Sequence, residues 1–274
     1  MRFVSGYVSL VSTKLFHRCW LRDEIKTLII GIHGFVEHGG RYEHVGKELV
    51  SNGFSFCISD LRGHGKSAGE GELGYVDSFD YFISDTEEYV KYLVSRFKPS
   101  KVIILGHSMG GLIALYYASL KDELIDAVVT SGAATLLRIN VLQYLMLKLM
   151  SSLSPRKRIA LPLNPKYLTH REEVVNEYLR DPLVVKNPTV RLVYELVRAS
   201  RNFWRYVGSI TKPVLLLHGG EDKVVPPEAS KLVYERVGSR VKELRIYDGL
   251  YHEILNEYKW RDVLKDIINW INEL

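Results

Sequence analysis

Hydrophobic and polar positions follow two rhythms along this chain. Short, nearly unbroken apolar runs occur at TLIIGIHG (27–34), FSFCISD (54–60), KVIILG (101–106), DAVVTSGAA (126–134) and PVLLLHG (213–219), each meeting Gly, Asp or Ser where a turn can begin. Between them, Ser78 to Phe97 and Gly111 to Leu120 carry apolar residues three and four apart, the period of a helix with one buried face. Trp260 to Leu274 repeats that period through Val263, Leu264, Ile267, Ile268 and Ile271. Strands apolar on both faces, alternating with helices, predict an α/β fold: a mostly parallel central sheet covered by helices on both sides. ELRIYDG (243–249) adds a later strand. The N-terminal FVSGYVSLV (3–11), behind Arg2, faintly imitates a signal peptide, but its serines and glycine and the lack of a small-residue cleavage site favour another strand.

From about Ala134 to Tyr206 the texture changes. No strand-like run appears, prolines arrive at 155, 162, 165, 182 and 188, and Arg and Lys become frequent. The expectation is a helical cap at 134–206 inserted into a core made of 1–133 and 207–274. Leu136 to Met150 is apolar on most sides, broken by Arg138, Asn140, Gln143 and Lys148, and is followed by Arg156, Lys157 and Arg158. It reads equally as a core helix of the insertion or as a lid whose apolar face meets lipid, with the basic triplet near anionic headgroups. No apolar run reaches the roughly 18 residues of a membrane span.

GHSMG (106–110) follows the strand KVIIL and leads straight into the helix GLIALYYASL, the context of a nucleophile elbow. A strand that reverses into a helix within a few residues holds Ser108 in a sparsely populated backbone conformation, and Gly106 and Gly110 leave room where strand and helix approach. Serine needs a base to take its proton and a third group to orient that base. Asp222 lies three residues past one strand end and His252 in the loop after the next strand. Parallel strands put these loops and Ser108 at one edge of the sheet. Of the nine histidines only His252 follows the acid. Glu221 beside Asp222 is a rival acid that spacing does not separate.

A developing oxyanion requires backbone donors. Met109, after the nucleophile, is the expected first donor, and Phe35, in the loop HGFVEHGGRY (33–42), the second. Glu37 and Arg41, four apart and opposite in charge, are expected to brace that loop. Three other patterns fail on inspection. GEGELG (69–74) follows a loop rather than a strand and would set Glu70 and Glu72 against a pyrophosphate; GHGKS (63–67) has Asp60 where a phosphate loop needs glycine; and His252-Glu253 has Asn256 where a zinc helix needs histidine. No spacing suggests a metal, and no cofactor is expected.

Composition changes the picture little. Of 274 residues, 46% are hydrophobic and 25% charged, as in ordinary globular proteins, which excludes disordered and fibrous classes. Thirty-seven Lys and Arg against 32 Asp and Glu give a net charge of +5, too small and too dispersed to indicate nucleic acid. With only two cysteines, Cys19 and Cys57, a disulfide framework is not expected. Buried free thiols in a reducing, cytoplasmic compartment are, with peripheral membrane contact through the cap as an addition.

In order and spacing, HGFVEHGGRYEHV, DLRGHGKSAG, GHSMGG, YLTHREEVVNEYLRDPLV, HGGEDKVVP and YDGLYHEILNE resemble the α/β-hydrolase family, in its monoacylglycerol lipase and lysophospholipase branch. They cover most of the chain, the stretch Leu136 to Ser154 excepted. The resemblance implies an α/β-hydrolase fold, a triad of Ser108, Asp222 and His252, oxyanion amides from Phe35 and Met109, and a cap at 134–206. It implies a serine esterase cleaving monoacylglycerols or other acyl esters through an acyl-enzyme. A lysophospholipase or acyltransferase on the same triad is the alternative, and a non-catalytic ligand-binding protein on a hydrolase fold is the reading from another class.

Overall fold

The computed structural model describes every residue of the chain except 70, 71, 122, 162 and 163. Glu70 and Gly71 of the GEGELG turn, and Pro162 of the insertion, therefore lie outside the described residues. Eight strands form one sheet: β1 (Arg2–Ser9), β2 (Lys14–Leu21), β3 (Thr27–Ile32), β4 (Ser55–Ser59), β5 (Lys101–His107), β6 (Ala127–Ser131), β7 (Val214–Gly219) and β8 (Lys242–Tyr247). Their spatial order is β1-β2-β4-β3-β5-β6-β7-β8, antiparallel at the β1–β2 and β2–β4 pairs and parallel from β4 onward.

The helices are α1 (Glu43–Ser51), α2 (Asp80–Phe97), α3 (Met109–Leu120), α4 (Val141–Leu153), α5 (Glu172–Arg180), α6 (Val190–Phe203), α7 (Glu228–Arg236) and α8 (Trp260–Glu273). Strand alternation divides the core into two. In β5, Val102 and Ile104 face one apolar cluster with α2 and α3, while Ile103 and Leu105 face another with α1 and α8. This two-sided burial is why the predicted strands read as unbroken apolar runs. From β3 the chain steps to β4 on one side, then crosses to β5 on the other. The reversal opens a crevice above the C-terminal ends of β3 and β5.

Three sequence expectations change. The strand β2 lies outside the apolar runs that predict the sheet. The expectation of free thiols is wrong: β2 pairs with β4 so that Cys19 stands opposite Cys57, with Cα atoms 4.1 Å apart, and the two form a disulfide. A cross-strand pair already within bridging distance needs no separate framework of cysteines. With Cys19 and Cys57 joined, no free thiol points to a reducing compartment. Third, the helix expected from Leu136 begins at Val141, because Asn140 and Gln143 form a capping box that fixes its first turn.

Between β6 and β7 the chain runs through α4, α5 and α6. The α4 helix is not a core helix. Val141, Leu142, Leu145, Met146, Leu149 and Leu153 are all more than half exposed and fall along one face, while Tyr144 packs against Tyr194 of α6. Among the described residues no helix is long and apolar enough to cross a membrane.

Candidate active site

Ser108 sits between β5 and α3 with φ 51° and ψ −116°, a conformation that costs a non-glycine residue about 1–3 kcal/mol. Packing enforces it. A Cβ on Gly106 would come within 2.3 Å of the Gly110 carbonyl oxygen, and one on Gly110 within 2.1 Å of the Ile32 oxygen, so strand, helix and β3 approach as closely as backbone allows. Met109 opens α3, and its N–H is therefore among those without an intrahelical acceptor.

The loops after β7 and β8 bring the other two side chains in. His252 Nδ1 donates to Asp222 Oδ2 at 2.6 Å, and the Ser108 hydroxyl donates to His252 Nε2 at 2.9 Å. Asp222, not Glu221, meets the imidazole; Glu221 is exposed. To reach Ser108 from β8, the ring must pass the end of β6. Gly132 allows this: its φ is +56°, and a Cβ there would lie 3.2 Å from two atoms of the His252 ring.

All three residues are buried, with 7%, 7% and 3% exposure for Ser108, Asp222 and His252. Burial alone would lower the His252 pKa, but the Asp222 charge and hydrogen bond outweigh it and raise the pKa above the usual imidazole value. Burial would likewise raise Asp222. His252 and the hydrogen bond from His218 instead hold it well below the usual carboxylate range. The neighbouring His107 goes the other way: burial and the His252 charge bring it down to about 4, so it stays neutral beside the pair.

The 33–42 loop is pinned at both sides of Phe35. Gly34 N–H donates to Glu37 Oε1 at 2.6 Å, and Val36, a β-branched residue at φ +58°, is buried with its carbonyl accepting the Val185 N–H at 2.9 Å. Such a conformation persists only where its surroundings over-determine it. Glu37 and Arg41 do brace this loop, as their spacing suggested, but the brace extends further. The Arg41 guanidinium is hydrogen-bonded to Glu37 and also donates to both oxygens of Glu253, at 2.8 and 2.7 Å. Glu253 adjoins His252, so one cation ties the Phe35 loop to the histidine loop. It also lies 5.0 Å from the Tyr178 ring of α5. Burial would raise the Glu37 carboxyl, yet Arg41, with His107 and His33, brings it down to about 2.

Ser108 opens into a cavity of about 980 Å³. Its walls are chiefly apolar, with Leu137, Met146, Leu147 and Met150 from the α4 region, Leu196 and Val197 from α6, and Phe35 beside the serine. Arg138 and Lys223 supply cations on its lining. Sequence reasoning assigned no role to Gly132, His218 or Glu253; only the adjacency of Glu253 to His252 hinted at one.

A strained serine at a strand–helix turn, hydrogen-bonded through histidine to aspartate at the C-terminal edge of a mostly parallel sheet, defines the serine α/β-hydrolase class. Residues 23–259 match the family described as serine aminopeptidase, S33. The chain belongs to that family, as an ester hydrolase of the α/β-hydrolase fold. It is 29% identical over 270 residues to the monoacylglycerol lipase of Mycolicibacterium smegmatis, covering 97% of this chain and 95% of that one. It is also 29% identical over 250 residues to a phospholipase of Bacillus subtilis, covering 90% and 95%. Among solved structures, the monoacylglycerol lipase of Paleococcus ferrophilus superposes with a TM-score of 0.84 at 26% identity, over 94% of this chain and 98% of that one.

Proposed function

We propose that the protein hydrolyses monoacylglycerols through an acyl-enzyme. The observation that carries this reading is the Ser108–His252–Asp222 hydrogen-bond chain opening into a large apolar cavity. Ser108 Oγ attacks the ester carbonyl while His252 Nε2 takes its proton, and the Asp222 carboxylate stabilises the imidazolium that forms. The Met109 and Phe35 N–H groups receive the oxyanion, each worth about 2.7–4 kcal/mol in the transition state. His252 then protonates the leaving alcohol, and water, activated by the same imidazole, releases the fatty acid.

The cavity favours an alkyl chain over a small polar acid. Each buried methylene contributes roughly 0.8 kcal/mol, so about ten offer ~8 kcal/mol before ordering losses. A hydroxyl exchanged with water contributes only about 0.5–1.5 kcal/mol per hydrogen bond. Chain recognition sets affinity and the headgroup sets orientation. Arg138 and Lys223 on the lining support a second reading, a lysophospholipase whose phosphorylated headgroup meets these cations. Purified protein assayed against monoacylglycerols, lysophospholipids and short p-nitrophenyl esters separates the two. The first reading expects the highest kcat/KM on medium or long monoacylglycerols, and a preference for lysophospholipids overturns it in favour of the second.

In the same reading, residues 134–206 form the cap and the exposed apolar row of α4 is its lipid-facing side. The basic triplet contributes less than its sequence suggests. Arg158 donates to the Leu73 and Asn187 carbonyls and Arg156 stacks 3.9 Å over Tyr75, which fixes both against the base of the cap. Replacing Leu142, Leu145 and Leu149 with Ser is expected to abolish flotation with phosphatidylcholine liposomes, whereas replacing Arg156, Lys157 and Arg158 changes it less. Unchanged flotation of the leucine variant overturns the lipid-facing assignment.

A further inference from the structure

Behind the aspartate lies a second histidine that the proposed mechanism does not use. His218, the penultimate residue of β7, is completely buried. Its Nε2 faces two acceptors, the Val225 carbonyl at 3.0 Å and Asp222 Oδ2 at 3.1 Å. Its Nδ1 lies 2.7 Å from the hydroxyl of Ser230 on α7. Two acceptors at Nε2 require that nitrogen to carry the proton, and the Ser230 hydroxyl can then donate to an unprotonated Nδ1. The partners thus place a proton on Nε2.

We infer that His218 is a positioning residue of the hydrolytic site, which acts through Asp222 by holding Oδ2 in the one orientation that meets the His252 ring. The inference rests on the reading of Ser108, His252 and Asp222 given above. Asp222 has two oxygens and four donors. Oδ1 accepts the Val224 and Val225 N–H groups at 2.8 and 2.9 Å, which fixes that oxygen in the loop. Oδ2 accepts from His252 at 2.6 Å and from His218 at 3.1 Å. The Nε2–H of His218 is shared with the Val225 carbonyl, so the same ring anchors the loop and its carboxylate.

The two Oδ1 contacts set the plane of the carboxylate from the loop side, and the His218 contact adds a group of β7 at Oδ2, beside the His252 ring, so that both oxygens are held when the imidazole meets them. It also places a second N–H beside Oδ2, which stabilises the Asp222 charge in place. The chain Ser108–His252–Asp222–His218–Ser230 therefore runs from the nucleophile across the β7 edge to the first turns of α7.

Two measurements test this. In the unmutated protein, reaction of Ser108 with a fluorophosphonate should move the low-field proton line of His252 Nδ1–H, and the His218 Nε2–H resonance should move with it. A shift at His252 with none at His218 overturns the inference; failure of Ser108 to react overturns the underlying reading instead. In variants, His218→Leu should lower kcat by about 10- to 100-fold, the loss expected for a hydrogen bond to a charged group, with KM within about twofold of wild type. His218→Gln, which keeps an N–H donor, should recover most of that loss. Equal kcat in folded His218→Leu and wild type, or a His218→Gln variant that folds yet is as slow as His218→Leu, contradicts it. The resonance measurement decides the matter if either variant fails to fold.

Discussion

Replacing Arg41 with Met tests the brace between the loops that carry Phe35 and His252. The substitution keeps most of the side chain's length and removes its charge. Arg41, Glu37 and Glu253 have side-chain exposures of 9%, 3% and 5%, so solvent cannot compensate two stranded carboxylates. Breaking a buried pair in this way costs about 3–5 kcal/mol. The loss should also depend on pH. In the wild type Glu37 titrates at about 2, below the roughly 4.3 of an unfolded glutamate, so its stabilisation is complete above about pH 5 and is lost as pH falls through the folded value. Without Arg41 both carboxyls are pushed up by burial and protonate more readily. The gap between wild type and Arg41→Met should be widest at pH 7 and narrow toward pH 4. Urea unfolding at both values measures it, and a difference below about 1 kcal/mol at pH 7, or one that does not change with pH, refutes the reasoning.

Other consequences are independent of that brace. Because the His252 pKa is raised and the base must be neutral, log kcat/KM should rise with slope one through a midpoint above 6.5; a midpoint below 6.5 contradicts the Asp222 coupling. His107→Ala should keep this limb, since its ring titrates at about 4 and is neutral throughout. Removing the disulfide by Cys19→Ala and Cys57→Ala, which span 38 residues, should lower stability by about 3–4 kcal/mol in the chain-entropy account, and equal urea midpoints for the oxidised and cysteine-free proteins would argue against a stabilising bridge.

The parallel strands and the serine turn were legible because their determinants are local: apolar runs, glycines and a short motif. What stayed hidden depends on distant partners. The β2 strand carries His17 and Arg18, which read as polar interruptions until Tyr89 and Asp60 are seen to pair with them, 72 and 42 residues away. The disulfide was missed for the same reason, since without β2 nothing sets Cys19 beside Cys57. By contrast, the start of α4 was written in Asn140 and Gln143, a cap signal overshadowed by the apolar residues before it. Predicted strand 126–134 stops at Ser131, where Gly132 turns to make room for His252. Glu253 and His218 neighbour the site in sequence, but their functions depend on Arg41, 212 residues away, and on the Asp222 carboxylate.

The most direct measurement is peptide mass spectrometry of the purified protein after treatment with a fluorophosphonate, alongside monoacylglycerol turnover. A single adduct on the peptide containing Ser108, with turnover lost in proportion, and no adduct or turnover in a folded Ser108→Ala variant, is the predicted result. Turnover that survives in Ser108→Ala, or an adduct carried by another residue, contradicts it.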